Sequence, residues 1–321
     1  MNSTSNLTVW SDRNSYYIMC GVSSFFAALA IILSIIIVIL IKHEKPRLHT
    51  VRHLLIANTC ISSCIYCTIQ TMNYIFLVFL PFISDDISCR WRGYLGYMAI
   101  ALPIFSYVIQ SLSRLLLTVY AGKYPWVTSF KMHRILIFLH WLTCFILPLS
   151  TIISNDIYYR PGHLCFVPMQ HFGHVLYTII CGYLLPVATI IIIYLYVIVR
   201  VKKVNRRAQH LRNRGNHKRD LKVLRNIVIL LVIYTLGGTP STLYIATSIE
   251  FFYFTGIVSL TLGVFIEKIC TILLDRKLRH VVRDILFRRN RIIPFHTTTQ
   301  MRERRPGLNI KMTKTNTITL Q

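Results

Sequence analysis

The chain has 321 residues, of which 54% are hydrophobic and 15% charged, with a mean hydropathy of +0.52. That balance is too apolar for an ordinary soluble domain of this length and points to a membrane protein. The net charge of +25, from 36 Lys and Arg against 11 Asp and Glu, lies in short clusters such as "RVKKVNRRAQHLRNRGNHKR". Because these clusters flank apolar runs, they read as an orientation signal and a surface for anionic membrane lipid, and nucleic acid is disfavoured as a partner.

Seven apolar runs approach the roughly 20 residues needed to cross the hydrocarbon of a bilayer. They fall at about 17–41, 54–82, 93–119, 135–153, 172–199, 223–248 and 253–274. None alternates with the period of barrel strands, so the expected fold class is an all-α membrane protein, a seven-transmembrane-helix bundle. The connections after the first, third, fifth and seventh runs hold four, four, eleven and twelve basic residues, 31 of the 36 in the chain. By the positive-inside rule the N-terminus is then outside and the C-terminus cytoplasmic, as seven crossings require.

In chain order, residues 1–16 form an expected extracellular N-terminus with two glycosylation acceptors, Asn2 (Asn-Ser-Thr) and Asn6 (Asn-Leu-Thr). No basic n-region or cleavage site precedes the first run, so it is expected to be retained rather than removed as a signal peptide. The second run carries Asn58, Ser63 and a Cys64-x-x-Cys67 spacing that is weak evidence for metal without matching histidines. The third opens just after Cys89 and ends in "YVIQSLSRLLLTVY", where Arg114 interrupts apolar sequence. Twenty-five helical residues at about 1.5 Å each separate Cys89 from Arg114 by roughly 37 Å, so the arginine belongs at the cytoplasmic mouth.

Gly237, Gly238 and Pro240 interrupt the sixth run, which membrane helices tolerate. Only "SIEFFYF" divides it from the seventh, which predicts a very short connection. Glu267 and Lys268 are the clear acid and base inside the seventh run. Adjacent residues project about 100° apart, so they are not expected to form one symmetric ion site of the kind a transporter needs. One alternative makes Glu267 an internal switch; the other has both side chains ending the helix near the interface and reaching for water. Residues 17–274 thus form the bundle. In "DRKLRHVVRDILF", within an expected amphipathic eighth helix over 275–288, Leu278, Val281, Val282, Ile285 and Leu286 follow an amphipathic period suited to lying on the membrane. Residues 289–321 read as a flexible cytoplasmic tail.

Of nine cysteines, seven lie within apolar runs, where small buried hydrophobes are expected. Cys89 and Cys165 fall in segments assigned to the outside, where disulfides persist, and are expected to be bridged.

Seven helices of this polarity, an outer cysteine pair and an arginine ending the third helix resemble the rhodopsin-like G-protein-coupled receptors, from about Tyr17 to Phe287. Ser113-Arg114-Leu115 stands where that family has Asp-Arg-Tyr, and Trp141 stands at its helix-four tryptophan. Pro186 and Tyr194 match the proline and tyrosine of helix five. Tyr234, Gly237, Gly238 and Pro240 fall on the Phe-x-x-Cys-Trp-x-Pro frame of helix six. Asn58 and Ser63 fall on the Asn-Leu-Ala-x-x-Asp frame of helix two. The departures are Ser113 for aspartate, Ser63 for aspartate, Gly238 for tryptophan and Glu267-Lys268-Ile269-Cys270-Thr271 for Asn-Pro-x-x-Tyr, which mark a divergent member.

The resemblance implies a plasma-membrane receptor that couples an extracellular ligand of unknown class to a heterotrimeric G protein. Arg114, held by Asp220, with Tyr194 and Pro240, would be the coupling machinery. Glu267, Ser63 and Asn58 would surround the internal switch. Gly96, Tyr97, Thr178 and Thr242 are candidates to line the ligand pocket. Gly96 stands where amine receptors have aspartate, which disfavours a biogenic amine, and Thr261 stands where opsins have their lysine, which disfavours photoreception.

The alternative is a transporter or channel, but internal repeats and paired broken helices are lacking and intramembrane charges are few. Enzymatic activity is not expected: His133, His140 and His174 look isolated, and no metal or cofactor is called for.

Overall fold

The computed structural model of the protein describes residues 3–43, 50–79, 85–120, 124–160, 163–207 and 214–287. Among them, seven helices are long and apolar enough to cross a membrane. They are α1 (Ser3–His43), α2 (Val51–Val78), α3 (Asp86–Leu115), α4 (Phe130–Ile146), α5 (Phe172–Ile179, continued by Leu185–Arg207), α6 (Arg214–Thr247) and α7 (Glu250–Leu274); the shorter α8 (Arg276–Phe287) follows. The membrane-length stretch of α1 begins at Tyr16, but the helix itself begins at Ser3, so the expected boundary at residue 17 falls inside a helix.

Local chemistry sets several ends. Asp85 caps α3 by accepting from the Ser88 amide at 2.9 Å, and Ser129 caps α4 by accepting from Met132 at 3.3 Å. Pro148 closes α4, after which only the short helix Leu149–Ile153 continues toward the same end. In α5 a π-turn spans Ile180–Leu184 just before Pro186, whose ring nitrogen donates nothing to the helix ladder. Two residues join α6 to α7, and the first of them, Ser248, lies in the left-handed region at φ 56°.

The core runs along the bundle axis. Tyr66, Tyr107 and Tyr234 are nearly or completely buried there, packed with the small residues Ala27, Ala30 and Ala99. Gly237 lets α6 and α7 meet: a Cβ there would lie 3.0 Å from the Ser259 carbonyl oxygen, and the Ser259 hydroxyl donates to the Gly237 carbonyl at 2.7 Å. Large apolar side chains such as Ile32, Phe138, Ile192 and Leu236 face outward, the arrangement a hydrocarbon solvent selects.

Candidate functional site

One end of the bundle is organised by a disulfide between Cys89, in the first turn of α3, and Cys165. It binds the segment between α4 and α5 across the helix ends, and further bonds hold that segment down. Asp86 accepts from the Tyr159 amide at 2.8 Å, and Arg90 donates to the Asn155 side-chain carbonyl at 2.8 Å. The Val167 and Leu164 amides donate to the hydroxyls of Tyr97 and Tyr253, each at 3.0 Å. Gly93 makes the close approach possible, because a Cβ there would stand 2.3 Å from the Cys165 carbonyl oxygen. At the edge of the segment, Asp156 accepts from Nδ1 of His174 and lies 3.4 Å from Nδ1 of His171. His174, which looked isolated in the sequence, therefore pins the segment to α5.

Beneath this segment lies a cavity of about 260 Å³. Tyr97, Thr178 and Thr242 line it; Gly96 does not, because the Phe166 ring covers it, 3.1 Å from where a Cβ would stand. Gly238, at the family's tryptophan position, also borders the cavity, and the Tyr183 ring from α5 comes within 3.5 Å of its Cβ position. Tyr183 donates to the Thr235 carbonyl at 3.0 Å, which fixes its ring there. The wall is mostly apolar and tyrosine-rich; its ionisable members besides tyrosine are Arg160 and His163. Burial pushes the His163 imidazole down from its usual range, and the neighbouring Arg160 charge adds to this while Glu250 opposes it.

The opposite end holds a smaller cavity of about 30 Å³, whose lining includes Gln110 and Arg114 of α3, Thr59 of α2, and Glu267 and Lys268 of α7. The geometry corrects the sequence reading here. Glu267 and Lys268 are 1% and 0% exposed, so neither reaches toward water. Lys268 Nζ donates to Glu267 Oε1 at 3.0 Å and lies 2.7 Å from Oε2, and the Thr271 hydroxyl bonds the same helix turn at the Glu267 carbonyl. The two adjacent residues form an ion pair with each other: the flexible lysine stem curls back across the 100° that separates the Cα–Cβ directions.

Of the α2 residues expected around Glu267, Asn58 is engaged otherwise and neither hydrogen-bonds it. Asn58 donates to His140 Nδ1 at 3.4 Å and accepts from the Trp141 indole at 3.0 Å, tying α2 to α4. His140 Nε2 donates to the Leu102 carbonyl at 3.0 Å, which completes a three-helix tie. Ser63 is fully buried, and its hydroxyl has no hydrogen-bond partner among the described residues.

Ser113, in the place of the family's aspartate, also serves as a tie. His133 Nδ1 donates to the Ser129 carbonyl at 2.9 Å, leaving Nε2 to accept from the Ser113 hydroxyl at 2.9 Å. Tyr194, with Leu112 and Leu115 on either side of Arg114 in sequence, belongs to the apolar cluster around Ile193 and Val197, and Pro240 lies within α6. The side chain of Asp220 and that of Asn6 lie outside the described residues, as does the whole of Asn2.

In the wall of this cavity Asp275 joins three elements. Its Oδ1 accepts from the Lys277 and Leu278 amides at 2.9 and 3.2 Å, capping α8, while Oδ2 lies 3.0 Å from Arg52 Nη2 and 3.6 Å from His53 Nε2. Burial alone would raise this carboxyl. The adjacent His53 imidazole, the Arg52 charge and the Leu278 amide outweigh it and hold the pKa at about 2. Leu278 and Val281 of α8 pack against Ile37 of α1 and Ile56 of α2, so the start of the apolar stripe faces the bundle and not lipid.

Sequence reasoning missed Arg160, Asp275 and the Asp156 cluster. The available signal for Arg160 was its position as the only Lys or Arg between residues 134 and 200.

The model of a family described as "7 transmembrane receptor (rhodopsin family)" matches residues 34–254 of the chain. No curated protein matches it. Among solved structures, squid rhodopsin is similar at a TM-score of 0.69 and 15% sequence identity, with 85% of this chain and 86% of that chain covered. At that identity the likeness concerns the fold.

Proposed function

Since the chain belongs to the rhodopsin family of seven-transmembrane receptors, we propose that it is a plasma-membrane receptor coupling an extracellular ligand to a heterotrimeric G protein. In this reading the disulfide end faces outside and the Arg114 end the cytoplasm, the orientation that the distribution of basic residues favours. The observation that carries it is the 260 Å³ cavity under the disulfide-bound segment, whose floor continues into the packed core through Tyr66 and Tyr234. Tyr234 of α6 donates to the Ile100 carbonyl of α3 at 2.9 Å, so a ligand at the floor acts directly on the α3–α6 contact. A ligand that binds one packing of these helices better than the other shifts the population between them.

At the cytoplasmic end Arg114, Asp220, Tyr194 and Pro240 form the coupling machinery. Glu267 serves as the internal switch, with Lys268 as its partner in place of Ser63 and Asn58. Asn2 and Asn6 carry glycans, and anionic lipid meets the basic connections. The test is guanine-nucleotide exchange on G proteins in membranes containing the receptor, screened against a broad ligand collection. Ligand-dependent exchange is expected. Ligand-independent ion current from the purified protein in liposomes, without exchange, would replace this reading with a channel or transporter.

A further inference from the structure

The large cavity has an uneven distribution of charge. Among the described residues that line it, Arg160 is the full cation and there is no carboxylate. Of the carboxylates nearby, Asp85 is committed to the Ser88 amide, Asp86 to the Tyr159 amide and Asp156 to His171 and His174, while Glu250 lies outside the lining and acts on His163. Burial and the Arg160 charge together keep His163 from sharing the positive role.

Arg160 is also poorly satisfied. Its Nε is buried without a hydrogen-bond partner, Nη2 makes only a 3.5 Å contact to the Phe166 carbonyl, and the guanidinium sits 6.0 Å from the centre of the Tyr158 ring. A buried guanidinium donor without an acceptor is costly, and its fork of donors matches an oxyanion.

The deeper wall shows a second polar shortfall. Tyr66 is 0% and Gln70 5% exposed; the Tyr66 hydroxyl and Gln70 Oε1 both lack hydrogen-bond partners, and both residues line the cavity. They lie one turn apart on α2, on the same helix face. Most of the remaining lining is aromatic rings and apolar side chains, with the hydroxyls of Thr178, Ser241 and Thr242 among them.

We propose that this cavity takes a small amphipathic monoanion: a carboxylate or other oxyanion held by Arg160, an aromatic or aliphatic body, and a hydrogen-bonding group that meets Tyr66 and Gln70. The inference rests on reading the cavity as the receptor's ligand site, and it inverts the charge logic of an amine receptor, in which a carboxylate holds a cationic ligand.

Matched probes test it. Phenylbutyrate, phenylbutyramide and phenylbutylamine share one body, as do octanoate, octanamide and octylamine. Binding to the purified full-length receptor in phosphatidylcholine nanodiscs is measured without G protein, with octanesulfonate added to separate carboxylate from other oxyanions. The carboxylates are expected to bind tighter than the matched amines by about tenfold to a hundredfold, the range one charge-assisted interaction supplies. Arg160→Gln should abolish that preference and Arg160→Lys should retain part of it.

Amines binding as tightly as acids, an unchanged preference in Arg160→Gln, or no binding by any probe would overturn the proposal. If Arg160→Gln does not reach the membrane, the head-group preference of the unsubstituted receptor decides alone. Anion binding without nucleotide exchange would support this ligand class while counting against the coupling reading, so the two fail separately.

Discussion

Glu267 and Lys268 show how far a residue's chemistry can depart from its backbone direction. Each is buried in α7 and each answers the other, so removing one charge strands its partner in a medium that cannot solvate it. Losing one member of a buried pair costs about 3–5 kcal/mol, whereas replacing both with apolar residues of similar volume is often nearly neutral. Glu267→Gln and Lys268→Met should therefore each lower the thermal unfolding midpoint of the purified receptor well below that of the Glu267→Leu/Lys268→Met double variant. A double variant that loses the sum of the two single losses would show that the charges act independently. The presence of an acid and a base was legible in the sequence. Their pairing was not, because side-chain reach, unlike helical projection, has no periodic signature. Asn58 does not meet Glu267 for a related reason: its carboxamide is taken by α4, a long-range partner with no local signature.

At the scale of elements, the seven runs and the amphipathic α8 were readable because apolar length and period are local properties. Their junctions depend on long-range partners. Asp275 reads as the first residue of a charged helix, yet it is 2% exposed and binds the start of α2 as well as α8. Its folded pKa of about 2 lies below the ordinary carboxylate value, so the stability it contributes is fully present above about pH 4. That contribution is lost as pH falls toward 2. Asp275→Asn should cost roughly 2 kcal/mol at neutral pH, with the difference from the parent narrowing over that acid window in pH-dependent thermal unfolding.

The α6–α7 junction offers a second check. A side chain in the left-handed region at Ser248 is strained by roughly 1–2 kcal/mol. Ser248→Gly should raise the unfolding midpoint and Ser248→Val should lower it. If both variants match the parent, the turn carries no strain.

For the whole molecule, hydropathy and the asymmetry of basic charge led to a multi-pass bundle because the bilayer imposes those constraints on any chain that spans it. The lid over the cavity could not be read in the same way. Its placement depends on contacts such as Tyr97 to Val167 and Tyr253 to Leu164, between residues 70 and 89 positions apart. Removing the disulfide with Cys89→Ser should cost about 2–5 kcal/mol and lower surface expression, measured by labelling intact cells.

Gly93 extends that prediction to a position with no sulfur chemistry of its own. The Cys165 carbonyl oxygen occupies the space a methyl group would need, so Gly93→Ala sets a side chain against the backbone that carries the bridge. During maturation the consequence is kinetic competition: nascent chains bearing alanine linger with two reduced thiols, open to mispairing and to retention by secretory quality control. A thiol-reactive maleimide should therefore label Gly93→Ala receptors in the endoplasmic reticulum at Cys89 and Cys165 while sparing the parent. A steric notch one turn from the cysteine would thus set the yield of oxidised receptor delivered to the cell surface.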